Sequence, residues 1–212
     1  MELVPLVVLG AYVSLIVELV FFPIPSEAST FQIFFKGGAG SAEHDVSLDR
    51  ARRRALGGKL LFYLLPTGLC VLLFLLPLAL LAHPPLRDRL GPVPALETSG
   101  WVAAGIALVL AGRALTFTSV LQLRRHKRDG TLGAAGLFER SRNPGLVGMY
   151  LCYMGNALLF PCVVLLAGIL PYVWNMHQRV LMEEEHLARS LGSEYKSYLD
   201  RVPRYLPLRN RR

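Results

Sequence analysis

Glu183, Glu184 and Glu185 follow Arg179 closely in the C-terminal third of the chain. Arg179 and Glu183 are i, i+4 neighbours on one helical face, and His186 lies i+3 from Glu183. Such carboxylates can hold a cationic group or take a proton from an amine. Downstream, Gly192 suits a helix stop and Ser193 an N-cap for a second short helix. On that helix Tyr195, Tyr198, Leu199 and Val202 share a stripe that Pro203 ends. A second polar group, Arg142-Asn143-Pro144, stands upstream, where Asn143 suits an N-cap and Pro144 a first helical position. Gly145 and Gly148 permit close approach of a ligand or of another helix. Each group also has a plain structural reading. The first fits a solvated acidic helix followed by an amphipathic helix on a membrane surface, the second a well-capped membrane span.

The elements that must position these groups are apolar. Of 212 residues 53% are hydrophobic and 18% charged, with a mean hydropathy of +0.41. That is too apolar for an ordinary soluble domain. Four blocks carry the excess, Leu3–Phe22, Leu60–Ala82, Trp101–Leu121 and Leu146–Trp174. The first three match the ~20 residues that cross a bilayer core. The fourth is longer and interrupted by Pro161, so it reads as two helices in a tight hairpin. The expected fold is an all-α polytopic bundle of about five transmembrane helices with a C-terminal cytoplasmic helical segment. Residues 1–99 form an N-terminal membrane part, and residues 100–212 a core holding the polar groups. Met1-Glu2 has no basic n-region, so the first block reads as a retained span.

The net charge of +8 is placed asymmetrically. Loop 23–58 carries Lys36, Arg50 and Arg52-Arg53-Arg54, and loop 122–143 carries Arg124, Arg125, Lys127, Arg128, Arg140 and Arg142. The tail ends Arg209-Asn210-Arg211-Arg212, whereas loop 83–100 holds only Arg87 and Arg89. The positive-inside rule puts the N-terminus outside and the C-terminus in the cytoplasm, with a bacterial inner membrane as the expected setting. No aromatic-interleaved basic motif points to nucleic acid, so lipid headgroups are the expected partner of this charge. Cys70, Cys152 and Cys162 match no metal or redox spacing, and no metal is expected.

Glu18 lies near the cytoplasmic end of the first span, which Pro23 and Pro25 stop. Residues 36–45 read as a polar loop, with Ser47 or Asp49 as N-cap of a short basic helix. Pro66 and Pro77 are tolerable in a membrane helix, and the proline-rich loop Leu86–Gly100 reads as inert. The third span is rich in small residues, among them Gly105 and Gly112, which invite close helix contact. Its Arg113 must face the protein interior or a water-filled cavity, with Glu18 as one possible partner. His126, in the basic loop, reads as solvated.

The order is a span with Arg113, a basic loop, Gly136-Leu137-Phe138, Arg142-Asn143-Pro144, a hairpin, Arg179 with Glu183-Glu184, Leu191-Gly192-x-Glu194-Tyr195-x-x-Tyr198, and Val202-Pro203-Arg204-x-x-Pro207. This resembles the integral-membrane methyltransferases of the isoprenylcysteine carboxyl methyltransferase type, related to the phospholipid N-methyltransferases, over roughly residues 100–207. The resemblance implies S-adenosylmethionine bound on the cytoplasmic side and a lipophilic acceptor, carboxylate or amine, entering from the bilayer. By position it implies that Arg142, Asn143, Pro144, Gly148 and Tyr150 line the cofactor site. Glu183, Glu184, Tyr195 and Tyr198 would close it, while Arg179 and Glu184 orient the acceptor. The prenylcysteine branch commonly has His where this chain has Asn143, which cannot titrate near neutral pH; prenylcysteine specificity is therefore not implied. The alternatives are an NADPH-dependent membrane reductase of the sterol-reductase type, which shares a late Asn-Pro or His-Pro hairpin, and a non-enzymatic membrane scaffold.

Overall fold

The computed structural model describes residues 3–21, 56–129 and 135–205. Loop 23–58 lies almost wholly outside them, and the Ser47 or Asp49 cap lies outside them altogether. The elements among the described residues are all helical. Helix α1 is Leu3–Phe21, α2 Leu65–Ala82, α3 Ser99–Asp129, α4 Pro144–Leu159, α5 Val163–Ser190 and α6 Gly192–Arg201. Two helical segments, Leu65–Ala82 and Ser99–Arg125, are long and apolar enough to cross a membrane, and Leu3–Glu18 is a shorter apolar one.

Helix α2 is preceded by a turn at Leu56–Lys59 and a π-helical stretch at Leu60–Leu64. Pro66 accounts for this irregularity: it has no N–H for the carbonyl four residues earlier, and an i→i+5 pattern moves that carbonyl's donor beyond the proline. The fourth apolar block breaks where Pro161 predicts. Phe160, Pro161 and Cys162 separate α4 from α5, and Tyr153 on α4 donates to the Leu165 carbonyl of α5 at 3.0 Å.

The loop between α2 and α3 is not inert. Val93 N–H donates to the Pro161 carbonyl at 3.0 Å and Val163 N–H to the Gly91 carbonyl at 2.7 Å. The loop thereby clasps the α4–α5 connection, with Arg87 and Glu97 paired beside it. Gly91 sits at φ +73° with the Val163 side chain 3.2 Å from where a Cβ would lie. A left-handed, crowded corner of this kind favours glycine.

The tightest helix contact joins α3 to α4. A Cβ on Gly112 would come within 2.5 Å of the Gly148 carbonyl oxygen, and one on Gly105 within 3.0 Å of the Gly155 carbonyl oxygen. The glycines are seven residues apart on both helices, two turns, so antiparallel helices meet backbone to backbone at both levels. Gly145 faces Ser119 in the same seam. The small residues of the third span thus do what their composition suggests. The main core continues from this seam through Val8 and Tyr12 of α1, Leu73 of α2 and Leu165 and Tyr172 of α5. It draws on both halves of the sequence.

Arg113 turns inward. It donates to Glu18 Oε2 at 2.6 Å and to Ser14 Oγ at 2.8 Å, with both charged side chains largely buried. Arg113→Leu should lower stability by about 3 kcal/mol, because it strands a carboxylate among apolar helices. The Glu18→Leu/Arg113→Leu pair should recover most of that loss in a thermal unfolding series. Weakened cofactor binding with unchanged stability would instead assign Arg113 to the ligand.

Candidate functional site

Helix α5 is one continuous element of 28 residues, about 42 Å at 1.5 Å per residue. It therefore carries the triple-glutamate segment beyond the apolar stretch without a break. Gly192, at φ +61°, then turns the chain into α6. The expected Ser193 cap is not used: Gly192 is the first residue of α6 and the flanking Leu191 gives no side-chain cap. The glycine supplies the reversal instead, since a left-handed residue redirects the chain at a helix end without a Cβ penalty. The expected stripe is buried rather than laid on a membrane surface. Tyr195, Tyr198 and Val202 pack with Leu187, Ala188 and Leu199, and Tyr198 donates to the Phe138 carbonyl at 2.8 Å.

This return brings the segment after α6 onto the start of α4. Arg142 N–H donates to the Pro203 carbonyl at 2.9 Å. Asn143 occupies the N-cap position of α4, yet its side chain makes no cap bond. Its Nδ2 donates instead to the Arg204 carbonyl at 3.2 Å, so its amide joins two remote segments. Glu184, buried at 8% exposure, is the hub. Arg204 Nε lies 3.1 and 3.0 Å from its two oxygens and Nη2 2.8 Å from Oε2, a fork-like pairing, while Arg142 Nη1 approaches Oε1 at 3.3 Å. The Glu184 hydrogen bonds raise the Arg204 pKa above its usual value. The Arg142 Nε is buried with no partner.

Of the site residues expected from sequence, Arg142 and Glu184 meet directly, and Asn143 reaches the same cluster through the Arg204 carbonyl. Pro144 is buried at the start of α4, and Tyr195 is buried close enough to feel the Glu184 charge. Tyr198 packs beside Tyr195, their ring centroids 5.8 Å apart. Glu183 is exposed. Gly148 lies against the Gly112 carbonyl and Thr116, in the α3–α4 seam. Arg179 and Glu184 are not brought together at one point. Arg179 donates to the Thr67 hydroxyl at 3.1 Å and lines a cavity among α1, α2, α3, α4 and α5 whose lining does not include Glu184.

From the sequence Arg204 stands out only as part of the Val202-Pro203-Arg204-x-x-Pro207 run, with no role, and Tyr205 and His177 are not singled out. His177 Nδ1 and the Tyr205 hydroxyl share a 2.7 Å hydrogen bond. The Tyr205 ring lies 6.1 Å from Tyr150, which lies 6.2 Å from Tyr172 on the cavity wall. Tyr150 therefore stands between the cavity and the Glu184 cluster. The available signal was Arg204 following a predicted helix reversal, with a glutamate 20 residues upstream and no acidic partner nearer than Asp200.

Burial pushes the Tyr198 pKa up to about 12, and Tyr195 rises for the same reason with Glu184 adding to it. A phenol whose folded pKa lies above its unfolded value of 10.0 contributes stability that is intact below pH ~10 and is lost as pH rises through about 12. The docking of α6 should weaken across that window. Tyr198→Phe should flatten the slope while costing about 1 kcal/mol for the lost hydrogen bond to Phe138, as read by unfolding midpoints from pH 8 to pH 12.

Residues 101–194 match the phospholipid methyltransferase family. A protein-S-isoprenylcysteine O-methyltransferase of Schizosaccharomyces pombe is 29% identical over 103 residues, 48% of this chain and 42% of that protein. Protein-S-isoprenylcysteine O-methyltransferase B of Arabidopsis thaliana is 26% identical over 112 residues, 52% of this chain and 55% of that protein. The chain thus spans about half the length of the curated relatives it matches. No solved structure matches it. The matched stretch begins at the head of α3 and includes Arg142, Asn143 and Glu184. Over residues 101–194 the chain is therefore similar to the phospholipid methyltransferase family, and over about half its length to isoprenylcysteine O-methyltransferases.

Proposed function

We propose that this protein is an S-adenosylmethionine-dependent methyltransferase that acts at the cytoplasmic face on a lipophilic acceptor held in the bilayer. The observation that supports it most is the convergence of Arg142, Asn143, Glu184 and Arg204 into one cluster at the end of a membrane-type bundle. In this reading α1 to α5 are five spans, α4 and α5 form a hairpin, and the N-terminus is outside. Residues 100–212 carry the chemistry and residues 1–99 complete the membrane body.

The residues suit the cofactor. The unpartnered, buried Arg142 Nε offers a donor for a carboxylate, and the exposed Glu183 offers an anion to an ammonium group. Arg142, Asn143, Pro144 and Tyr150 form one wall, and Glu183, Glu184, Tyr195 and Tyr198 the other. Gly148 serves this site by letting α4 seat against α3. When bound, S-adenosylmethionine supplies an electrophilic methyl group. The protein's part is to align the acceptor and exclude water, since orientation carries much of the rate in such a displacement. Arg179 orients the acceptor. An amine acceptor would give its proton to Glu183 or Glu184.

Calorimetric titration of the purified chain with S-adenosylhomocysteine and with NADPH tests this. Binding of the first alone is expected. Binding of NADPH alone would replace the reading with a reductase, and binding of neither would favour a scaffold.

A further inference from the structure

The cavity lined by Arg179 measures about 320 Å³. At about 30 Å³ for a water-sized group, it holds on the order of ten alkyl carbons. Its lining on α5 is Tyr172, Met176 and Arg179, and on α4 Met149, Cys152 and Asn156. The ends of each set lie two turns apart, about 10 Å of helix. Arg179, bonded to the Thr67 hydroxyl at 3.1 Å, marks the end nearer Glu184. Because α4 and α5 run antiparallel from the break at Pro161, Asn156 and Tyr172 mark the inner end. Most of the remaining lining is apolar, including Ala11 and Leu15 of α1 and Val71 and Phe74 of α2.

The inner end holds two unsatisfied polar groups. Asn156 is 6% exposed and Tyr172 2%, yet neither the Asn156 Oδ1 nor the Tyr172 hydroxyl has a hydrogen-bond partner among the described residues. Tyr153 gives the contrast. Equally buried, it donates to the Leu165 carbonyl at 3.0 Å. Tyr172 is held from turning toward a similar partner. Its ring stacks on Tyr153 with centroids 4.6 Å apart and meets Tyr150 edge-on at 6.2 Å. An unpaired donor and an unpaired acceptor inside an apolar bundle are destabilising until something bound beside them supplies the missing partners.

We infer that the inner end of this cavity is a subsite for a neutral hydroxyl carried on the alkyl chain that fills it. A hydroxyl both donates and accepts, so it can accept from Tyr172 and donate to Asn156 Oδ1. A pure hydrocarbon leaves both atoms unmet. A ketone or an ether meets Tyr172 alone, and an ammonium only donates while bringing a charge against an apolar wall. The subsite also sets a register, since the hydroxyl must lie about 10 Å in from the Arg179 end. The inference rests on the methyltransferase reading above only in taking that ligand to be the acceptor. On that reading Asn156 and Tyr172 are specificity residues, selecting acceptors that carry an oxygen remote from the reacting end.

The test uses the full chain in phosphatidylcholine nanodiscs, with 1-decanol and 1,10-decanediol as probes and S-adenosylhomocysteine in parallel. The diol can place one hydroxyl near Thr67 and the other at the subsite, so it should bind roughly tenfold more tightly than decanol. Tyr172→Phe should raise the unfolding midpoint without added ligand by about 2–4 °C, because it deletes an unpaired buried hydroxyl. The same variant should cut the diol's advantage to within roughly twofold, and Asn156→Leu should cut it as far. A lowered midpoint in Tyr172→Phe would mean that the protein or a bound water already satisfies the hydroxyl, and would overturn the inference. So would a diol advantage that is absent from the parent chain or survives both substitutions. Diol selectivity without S-adenosylhomocysteine binding would keep the subsite and remove the methyltransferase reading; the reverse pattern would remove the subsite alone.

Discussion

Glu184→Gln will release the segment after α6 from the start of α4 and abolish S-adenosylhomocysteine binding. Glu184 is the anion between Arg142 and Arg204, with its side chain 10% exposed and Arg142's 12%. Removing it leaves two guanidiniums facing a neutral amide. Breaking a buried pair in this way typically costs 3–5 kcal/mol, about. Arg204 is 34% exposed, so solvent screening takes the expected loss to about 2–3 kcal/mol. The loss should be local. Protease cleavage after Arg201 should become rapid while the seam between α3 and α4 stays protected from hydrogen exchange. Arg204→Ala should reproduce the cleavage with a smaller loss of stability, since Arg142 remains to face the carboxylate. An unchanged cleavage pattern and unchanged ligand affinity in Glu184→Gln would mean that the cluster neither holds the segment nor shapes the site.

Gly112→Val should cost more than any other single change considered, 3 kcal/mol or above, about, because overpacking here meets backbone rather than a movable side chain. A Cβ at Gly112 would lie 2.5 Å from the Gly148 oxygen and 2.7 Å from the Cys152 nitrogen. Gly148→Ala should be nearly as damaging, its Cβ falling within 2.6 Å of the Gly112 oxygen. Gly68→Ala provides the contrast: nothing lies within 4 Å of its Cβ, so it should be neutral or stabilising by about 0.5–1 kcal/mol. Unfolding midpoints of the three variants give this order. Gly148→Ala also separates two roles for that glycine. Loss of stability marks it as a packing residue, and loss of cofactor affinity at full stability would mark it as a ligand contact.

Much of the helical plan is legible residue by residue. Pro161 marks the break between α4 and α5, Gly192 marks the reversal into α6, and the small residues of the third span mark the side that α4 covers. These are local preferences: a missing N–H, a left-handed backbone, a missing Cβ. They act within a turn or two and need no knowledge of the partner. Asn143 shows the limit of such reading. Its position at the head of α4 follows from local preference, yet its side chain bonds Arg204, 61 residues away. A cap bond is one of several bonds an amide can make, and the partner that wins is the one packing delivers.

The sequence by itself determined the apolar blocks, their ends, the inward need of Arg113 and the motif order over roughly residues 100–207 that resembles the membrane methyltransferases. Only the tertiary structure decided that Glu184 is held by Arg142 and Arg204 and that Arg179 faces a separate cavity. The physical reason lies in α5 and the turn after it. An unbroken helix puts Arg179 and Glu184 five residues apart, about 140° around the axis at 3.6 residues per turn, so the two side chains face different neighbours. The corner at Gly192 then returns Arg204 to Glu184, a pairing between residues 20 apart in sequence that no local preference encodes.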